Sequence, residues 1–566
     1  MNNNTEGAGL DWSADRILPA FQAPEHLDVF DLRTASREVQ LSVATLVGLI
    51  NRPRPQVYLI SRNNDAFWLQ EIFASIPYDI SPLADNEILV ALLASHRDRV
   101  QGIIIYDPDF SDSINIATML AGQQDGIIVS PVQASELQQP QGLPVSQTGF
   151  RKGPPQGGGK LTPLPVLADL RTYGWGSRLE AYRWAHQNLL GHASSQLIAG
   201  LDPQIALGIR PFLVATRTFI YWLNPLNILP NSSAGWLSER GLLKQLLHSF
   251  SPGVAHLGWF IHEGSGVSLT SEAALPVFAS DLFSNLEVWT SFQPQVPADA
   301  KELKRAPQAS LSVPTPALAK IYLSFTFSEG DNWQYIQEHM LRLWRDPARG
   351  SLPLGWTTSP ALLQAAPAMA ASYARTATPQ DEFVAGPSGA GYMYPSRWPG
   401  EHLPAFLQRT GQWMQQMKLK VLEVLDSNFW QNLSLMLRAI FSGTGMALIK
   451  HDLQERFAET LSIFGIHGLL SGAGQEKASW VIISDIPVYQ NLGIASSIDG
   501  TLAMIKRATS ANQQRPYFLN VYVLAWRMTP SDLKHVVQQL GSEYEVVTPG
   551  RLLSLVGKAE QRDQAR

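Results

Sequence analysis

Six stretches of the sequence read as a short apolar strand that runs directly into a carboxylate or an aromatic glycine loop. His256–His262 runs into Glu263-Gly264, and Pro276–Ser280 into Asp281. Ile321–Phe327 runs into Ser328-Glu329-Gly330-Asp331-Asn332-Trp333. Phe383–Pro387 runs into Gly389-Ala390-Gly391-Tyr392-Met393-Tyr394, Leu419–Leu425 into Asp426, and Trp480–Ser484 into Asp485. Carboxylates and aromatics delivered to one face suit carbohydrate chemistry. Sugar C–H faces stack on Trp and Tyr, hydroxyls bond to Asp and Glu, and glycosidic cleavage needs an acid and a base or nucleophile. Glu263 and Asp331 are the expected pair, with Glu329 and Asp485 in reserve. Glu263 follows a strand carrying Trp259 and Phe260, a setting that raises a carboxyl pKa and keeps an acid's proton. Asp331 precedes a helical pattern, Asn332–Trp344, whose dipole favours a carboxylate. Asp281, Asn332, Trp333, Gly389, Gly391, Tyr392 and Tyr394 are the expected substrate contacts. The two glycines permit a close backbone approach, and the two tyrosines, at spacing two, point the same way in an extended chain.

The same residues also have plainer roles. Asp and Ser cap helices wherever a loop enters one, and Asp331 with Gln334 looks like a capping pair for Asn332–Trp344. Trp333, Met340 and Trp344 fall on one helical stripe, which suits core packing for Met340 and Trp344 and leaves Trp333 able to face a site. Catalysis and sugar binding without catalysis therefore share one residue set. They differ in whether two carboxylates oppose each other.

Other chemistries are excluded or fail on inspection. No Cys is present, which removes disulfides, thiolate metal sites and thiol nucleophiles. The twelve His include no H-x-x-x-H pair, so no metal and no cofactor is expected, and a zinc-dependent deacetylase is disfavoured. Gly153–Lys160 (GPPQGGGK) has Pro154 where a phosphate loop wants Gly and is followed by Leu161 instead of Ser or Thr. No G-x-S-x-G elbow occurs. A formal charge of −5 gives no footprint for nucleic acid or anionic lipid. No apolar run approaches the ~18 residues of a membrane span, and the first residues lack a signal-peptide pattern, so a soluble cytoplasmic protein is expected.

The elements that must position these residues sort into several parts, as 566 residues require. After a tail (1–25), short β-branched strands alternate with helices in two small α/β domains, 26–86 and 87–137. A Gln/Gly/Pro-rich linker or insertion covers 138–163, and a mostly helical third domain covers 164–250. From 253 to 556 repeated β-then-α patterns predict a (β/α) TIM-like barrel of seven or eight strands. Nine strand candidates lie there, so at least one belongs elsewhere.

Gly389–Pro395, GAGYMYP, reproduces the signature of the family named for its GxGYxYP motif. Leu49-Ile50-Asn51-Arg52, Ile105-Tyr106-Asp107-Pro108, Ser177–Tyr182 and Ala215-Thr216-Arg217 resemble that family's N-terminal domains. Gly258-Trp259-Phe260 with Glu263-Gly264, Ala279-Ser280-Asp281 with Asn285, and Gly330-Asp331-Asn332 resemble its C-terminal domain. The resemblance runs from about residue 26 to 555. It implies three small N-terminal domains, a C-terminal barrel and, by the family's name, glycoside hydrolysis of a carbohydrate substrate. Glu329-Gly330-Asp331-Asn332 departs from the Asp-Gly-Asp-Asn commoner in the family; its first carboxylate reaches about one methylene further.

Overall fold

A computed structural model of the chain describes residues 10, 12–13, 15–139, 141–142, 160–229, 238–292, 316–317, 319–426, 450–475 and 477–564. Most of the linker expected at 138–163 lies outside the described residues. Two compact units are present: Met1–Leu269 with Ala279–Pro294 and Gln364–Met369, and Thr270–Phe278 with Gln295–Leu363 and Ala370–Arg566.

The first unit is built from small parallel sheets. Leu27–Asp31 lies between Val57–Ile60 and Tyr78–Ile80. Helix Arg37–Ile50 starts at Ser36, whose hydroxyl accepts from the Val39 amide. A second sheet places Gly102–Ile105 between Gly126–Val129 and Val166–Asp169. Phe30, Leu46, Val57, Ile103 and Ile127 join both sheets in one buried cluster. At the end of helix Arg37–Ile50, Arg52 donates to the carbonyls of Ala215, Val214 and Gly122 and pairs with Asp125 at 2.9 Å. Asn51 beside it accepts from the Gln56 and Val57 amides and donates to Glu287. These two positions of the Leu49–Arg52 segment therefore fasten the fold.

Two domain expectations need correction. Parallel strands Leu197–Gly200 and Phe219–Tyr221 make the segment expected to be mostly helical an α/β one. Ala255–Gly258 pairs with Leu197–Gly200, so it is not a barrel strand and the barrel does not begin at 253. A buried parallel strand carries the same apolar run in any sheet, and which sheet takes it is decided by tertiary packing.

The second unit holds a closed barrel of seven parallel strands: β1 (Ile321–Ser328), β2 (Leu354–Thr358), β3 (Asp381–Ala385), β4 (Val421–Val424), β5 (Gly468–Gln475), β6 (Ile486–Ala495) and β7 (Tyr517–Leu524). They follow in order around the barrel, and β1 pairs with both β7 and β2. Val277–Ala279 is not among the seven, and neither is Ser479–Ile483. The latter folds antiparallel onto β6 through the two-residue turn Ser484-Asp485, whose φ angles are 51° and 63°. Positive φ at both central positions is the type I′ signature of tight hairpins.

Alternation along the strands grades the barrel interior. At the N-terminal ends, Tyr322, Val421, Leu470 and Phe518 pack with Leu552, Leu553 and Val556 of helix Pro549–Gln564. Glu382 on β3 seats that helix by accepting from the Gly550 amide at 2.8 Å. Higher up the interior turns polar: Thr326 donates to Asn520, which donates to Asn491, which donates to the Gly472 carbonyl. The next residues on the same faces are Ser328, Tyr522 and Glu423, at the C-terminal ends where barrel enzymes work.

Candidate active site

Glu423 stands on β4 on the same face as Val421, and both are fully buried. The Ser328 hydroxyl, at the end of β1, donates to Glu423 Oε1 at 2.6 Å. With seven strands, β1 and β4 are on opposite sides, so this bond crosses the barrel. Gly386, just past β3, makes room: a Cβ there would sit 2.8 Å from Glu423 Cβ. Among the described residues, the buried Glu423 Oε2 has no hydrogen-bond partner. Burial pushes the carboxyl up to about 8; the Ser328 hydrogen bond lowers it and the charge of Glu329 raises it further. That shift favours the protonated form of Glu423 at neutral pH.

Two further carboxylates share its surroundings. Burial raises the Tyr522 hydroxyl well above its ordinary pKa, and Glu423, Glu329 and Asp331 all add to the rise, while a hydrogen bond with Ser328 opposes it. Three carboxyl groups therefore bear on one phenol. Glu329 has φ 135°, a region that favours glycine, and non-glycine residues held there concentrate at functional sites. The turn is held by the Gly330 amide, which donates to Thr357 Oγ1 at 2.9 Å. Gly330 presses so closely on β2 that a Cβ would meet the Thr357 carbonyl carbon at 2.4 Å. Asp331 is buried, and Asn332 Oδ1 accepts from the Tyr335 amide. The helix there opens with a π-turn, Tyr335–His339, before Met340–Trp344.

The glycine loop after β3 is buried throughout. Gly389 and Gly391 have φ 122° and 133°; a Cβ on either would lie 2.6 Å from Thr410 or Pro276 respectively. Tyr392 shares a backbone bridge with Val277, and the Tyr394 amide donates to Ser271. The two tyrosine hydroxyls meet at 3.4 Å, with rings edge to face. Ser388 Oγ donates to the Met393 and Leu425 carbonyls, and Ser396 donates to Asp426 at 2.8 Å. The loop is thereby clamped to the end of β4, two to three residues beyond Glu423.

Four family models match the chain, described as the GxGYxYP first domain (26–94), second domain (100–149), third domain (195–291) and GxGYxYP putative glycoside hydrolase C-terminal domain (319–557). The chain belongs to the GxGYxYP family. A solved structure described as a putative hydrolase from Bacteroides thetaiotaomicron is similar at TM-score 0.74 and 20% identity, covering 97% of this chain and 99% of that one. At that identity the likeness is one of fold. A putative polysaccharide deacetylase structure from Mycobacterium smegmatis matches at TM-score 0.28 and 10% identity over 44% of this chain and 96% of its own. No curated protein matches the sequence. The family's third domain covers Ala255–Gly258, in line with the sheet pairing described above.

Within this GxGYxYP chain, the residues expected from sequence separate. Asp331 and Glu329 lie at the end of β1 and share surroundings with Glu423. Glu263 belongs to the first unit and is exposed at the first position of helix Glu263–Glu272, so the apolar burial expected of an acid catalyst is missing. Asp281 is also in the first unit, half-buried, with its carbonyl accepting from the Ile209 amide. Asp485 is the second residue of the hairpin turn and is exposed at the N-terminal end of β6, the wrong end for barrel catalysis. Trp333 is fully buried, stacked on Phe278 at 4.7 Å and donating to Ser359, so it is a core residue and not a sugar platform. Tyr392 and Tyr394 come together but are 3% and 5% exposed, which leaves their hydroxyls as the chemistry they offer. Sequence reasoning missed Glu423. The available signal was parity: Val421 and Glu423 alternate within Leu419–Leu425, placing one charge on an inward face. Among the described residues, His26, Asp28 and Asp79 of the first small domain bring their side chains together, with His26 Nε2 3.0 Å from Asp79 and Nδ1 3.6 Å from Asp28.

Among the described residues, no helix is long and apolar enough to cross a membrane.

Proposed function

We propose that this protein is a glycoside hydrolase whose general acid is Glu423 and whose ionised partner is Asp331 or Glu329. The observation that carries the reading is the convergence of a buried, protonated Glu423 with two more carboxyl groups around Tyr522 at the C-terminal end of a barrel. Glycosidic cleavage needs one carboxyl that keeps its proton to donate to the leaving oxygen and one that stays charged as base or nucleophile. Environments that push two carboxyls apart supply that division. The Glu423 proton leaves to the glycosidic oxygen as the C–O bond breaks; the oxygen of a water bonds to the sugar carbon, and that water's proton passes to a carboxylate and restores the acid before the next turnover. Ser328 orients the acid, and Tyr522 offers a hydroxyl to the charged partner. The substrate class is a carbohydrate.

Screening the full chain on aryl glycosides and polysaccharides, then assaying Glu423→Gln, Asp331→Asn and Glu329→Gln, tests this. Loss of about 10²–10⁴-fold in Glu423→Gln, and in one of the other two, is expected at retained folding. Full rates in Glu423→Gln would remove the acid. Sugar binding with no hydrolysis by the wild type would turn the reading into a binding protein.

A further inference from the structure

We propose that Trp526 is the stacking platform of a substrate subsite at the barrel mouth, taking the C–H face of a neutral pyranose unit of an oligosaccharide. The proposal rests on the glycoside hydrolase reading for its substrate class. Trp526 follows the C-terminal end of β7 by two residues, on the face where Glu423, Glu329 and Asp331 gather. It is 48% exposed, whereas Trp333, Trp344 and Trp356 of the same unit are buried. A half-exposed indole leaves a large apolar face in water, which is ordinary for a scattered Leu and unusual for a Trp at the mouth of a barrel.

The exposed ring is held stiff from beneath. It lies 4.3 Å from the His339 ring at 35°, and meets Tyr335 edge-on at 5.6 Å. His339 Nε2 bonds the Ala525 carbonyl at 2.9 Å, which pins the loop to the same imidazole that supports the indole. On the other side, the Arg527 and Met528 amides both donate to the Leu524 carbonyl. Burial holds the imidazole pKa down, so the support is a neutral ring. Tyr335 and His339 are the first and last residues of the π-turn, a helix irregularity that concentrates at functional sites. Tyr335 lies six residues beyond Glu329, in the helix that follows the same strand end; burial raises its hydroxyl pKa and the charge of Glu329 adds to the rise. The line Trp526, Tyr335, Glu329 thus runs from an open aromatic face to a candidate catalytic carboxylate.

A rigid aromatic face with a carboxylate beyond it recognises a sugar ring by C–H contact and its hydroxyls by hydrogen bonds. The test compares wild type, Trp526→Ala and Trp526→Phe as full-length proteins. The probes are cello-, xylo-, manno-, chito- and malto-oligosaccharides of four to six units, read by steady-state kinetics and by calorimetric binding. In Trp526→Ala, KM or Kd for the accepted oligosaccharide rises about five- to twentyfold, kcat falls less than KM rises, and Trp526→Phe recovers most of the affinity. Unchanged affinity in Trp526→Ala, with the oligosaccharide still hydrolysed, overturns the platform and leaves the hydrolase reading standing. Binding that Trp526→Ala abolishes, with no hydrolysis by any form, supports the platform while the hydrolase reading fails. No binding of any of the five oligosaccharide classes by the wild type overturns the platform.

Discussion

Replacing Glu423 by Gln keeps the side chain's shape and leaves a carbonyl oxygen to accept from Ser328, but removes the titrating proton. The effect on stability follows from the raised pKa. An unfolded Glu loses its proton near 4.5, whereas buried Glu423 holds it up to about 8. The folded state's advantage from this group is full below 4.5 and is lost as the pH rises through about 8, because the unfolded chain releases a proton that the barrel retains. At about 1.4 kcal/mol per pH unit over that interval, the loss is roughly 5 kcal/mol. Glu423 is fully buried, so solvent screening does not reduce this greatly. Gln cannot ionise and carries none of the loss. Glu423→Gln and wild type should therefore melt within about 2–4 °C of each other at pH 4.5 and diverge by roughly 10–20 °C at pH 9, the variant being the more stable. Scanning calorimetry across pH 4.5–9, following the barrel transition, measures the divergence. Wild-type kcat/KM on an accepted substrate should fall on the alkaline side with a midpoint near 8, as the acid loses its proton. Melting curves that stay parallel at every pH would refute the buried protonated carboxyl, and with it the physical basis for assigning the acid.

Ser328→Ala removes the hydrogen bond that lowers the Glu423 pKa, so the alkaline limb of the rate profile should move to higher pH, at a stability cost of about 1–3 kcal/mol. Gly391→Ala places a Cβ 2.6 Å from Pro276 in a backbone region that L residues avoid; a drop in melting temperature of several degrees, with loss of activity through the displaced loop, is expected. Asp485→Asn suits the same left-handed turn, so rates and melting temperature should stay at wild-type values, and a large loss of rate would restore Asp485 to the mechanism. Arg52→Ala strips a guanidinium from three carbonyls and Asp125, and should cost the first unit about 3–5 kcal/mol, seen as early cleavage in limited proteolysis.

Six of the seven barrel strands announce themselves as apolar runs between helical patterns. β6 does not, because Pro487, Asn491 and Gly493 interrupt Ile486–Ala495 with residues that local propensity assigns to turns. Ser479–Ile483 has the composition of a barrel strand, and only its pairing shows it to be the arm of a hairpin. Glu329 and Asp331 were legible because a run of polar residues after a strand stands out. Glu423 was hidden inside a strand: burial in the closed barrel raises its pKa, and the hydroxyl bonded to it comes from Ser328, 95 residues away. Trp526 was hidden for the same reason: its backing rings come from a helix that leaves a different strand. Residue type is local information; the environment that turns a carboxyl into an acid is assembled from remote parts of the chain.

The clamp formed by the GAGYMYP loop bears on how this family should be diagnosed. The motif's glycines fit where a side chain would collide, and the neighbouring Ser388 and Ser396 tie the loop to the end of β4. What the heptad encodes is therefore a fastening between two consecutive strand ends. In this chain the fastening holds the strand end that carries Glu423. Preference for one glycan over another would be written in segments the fastening leaves unconstrained, Ala525–Met528 foremost among them. Family members that share the heptad and differ in that segment form the natural series for reading substrate range from sequence.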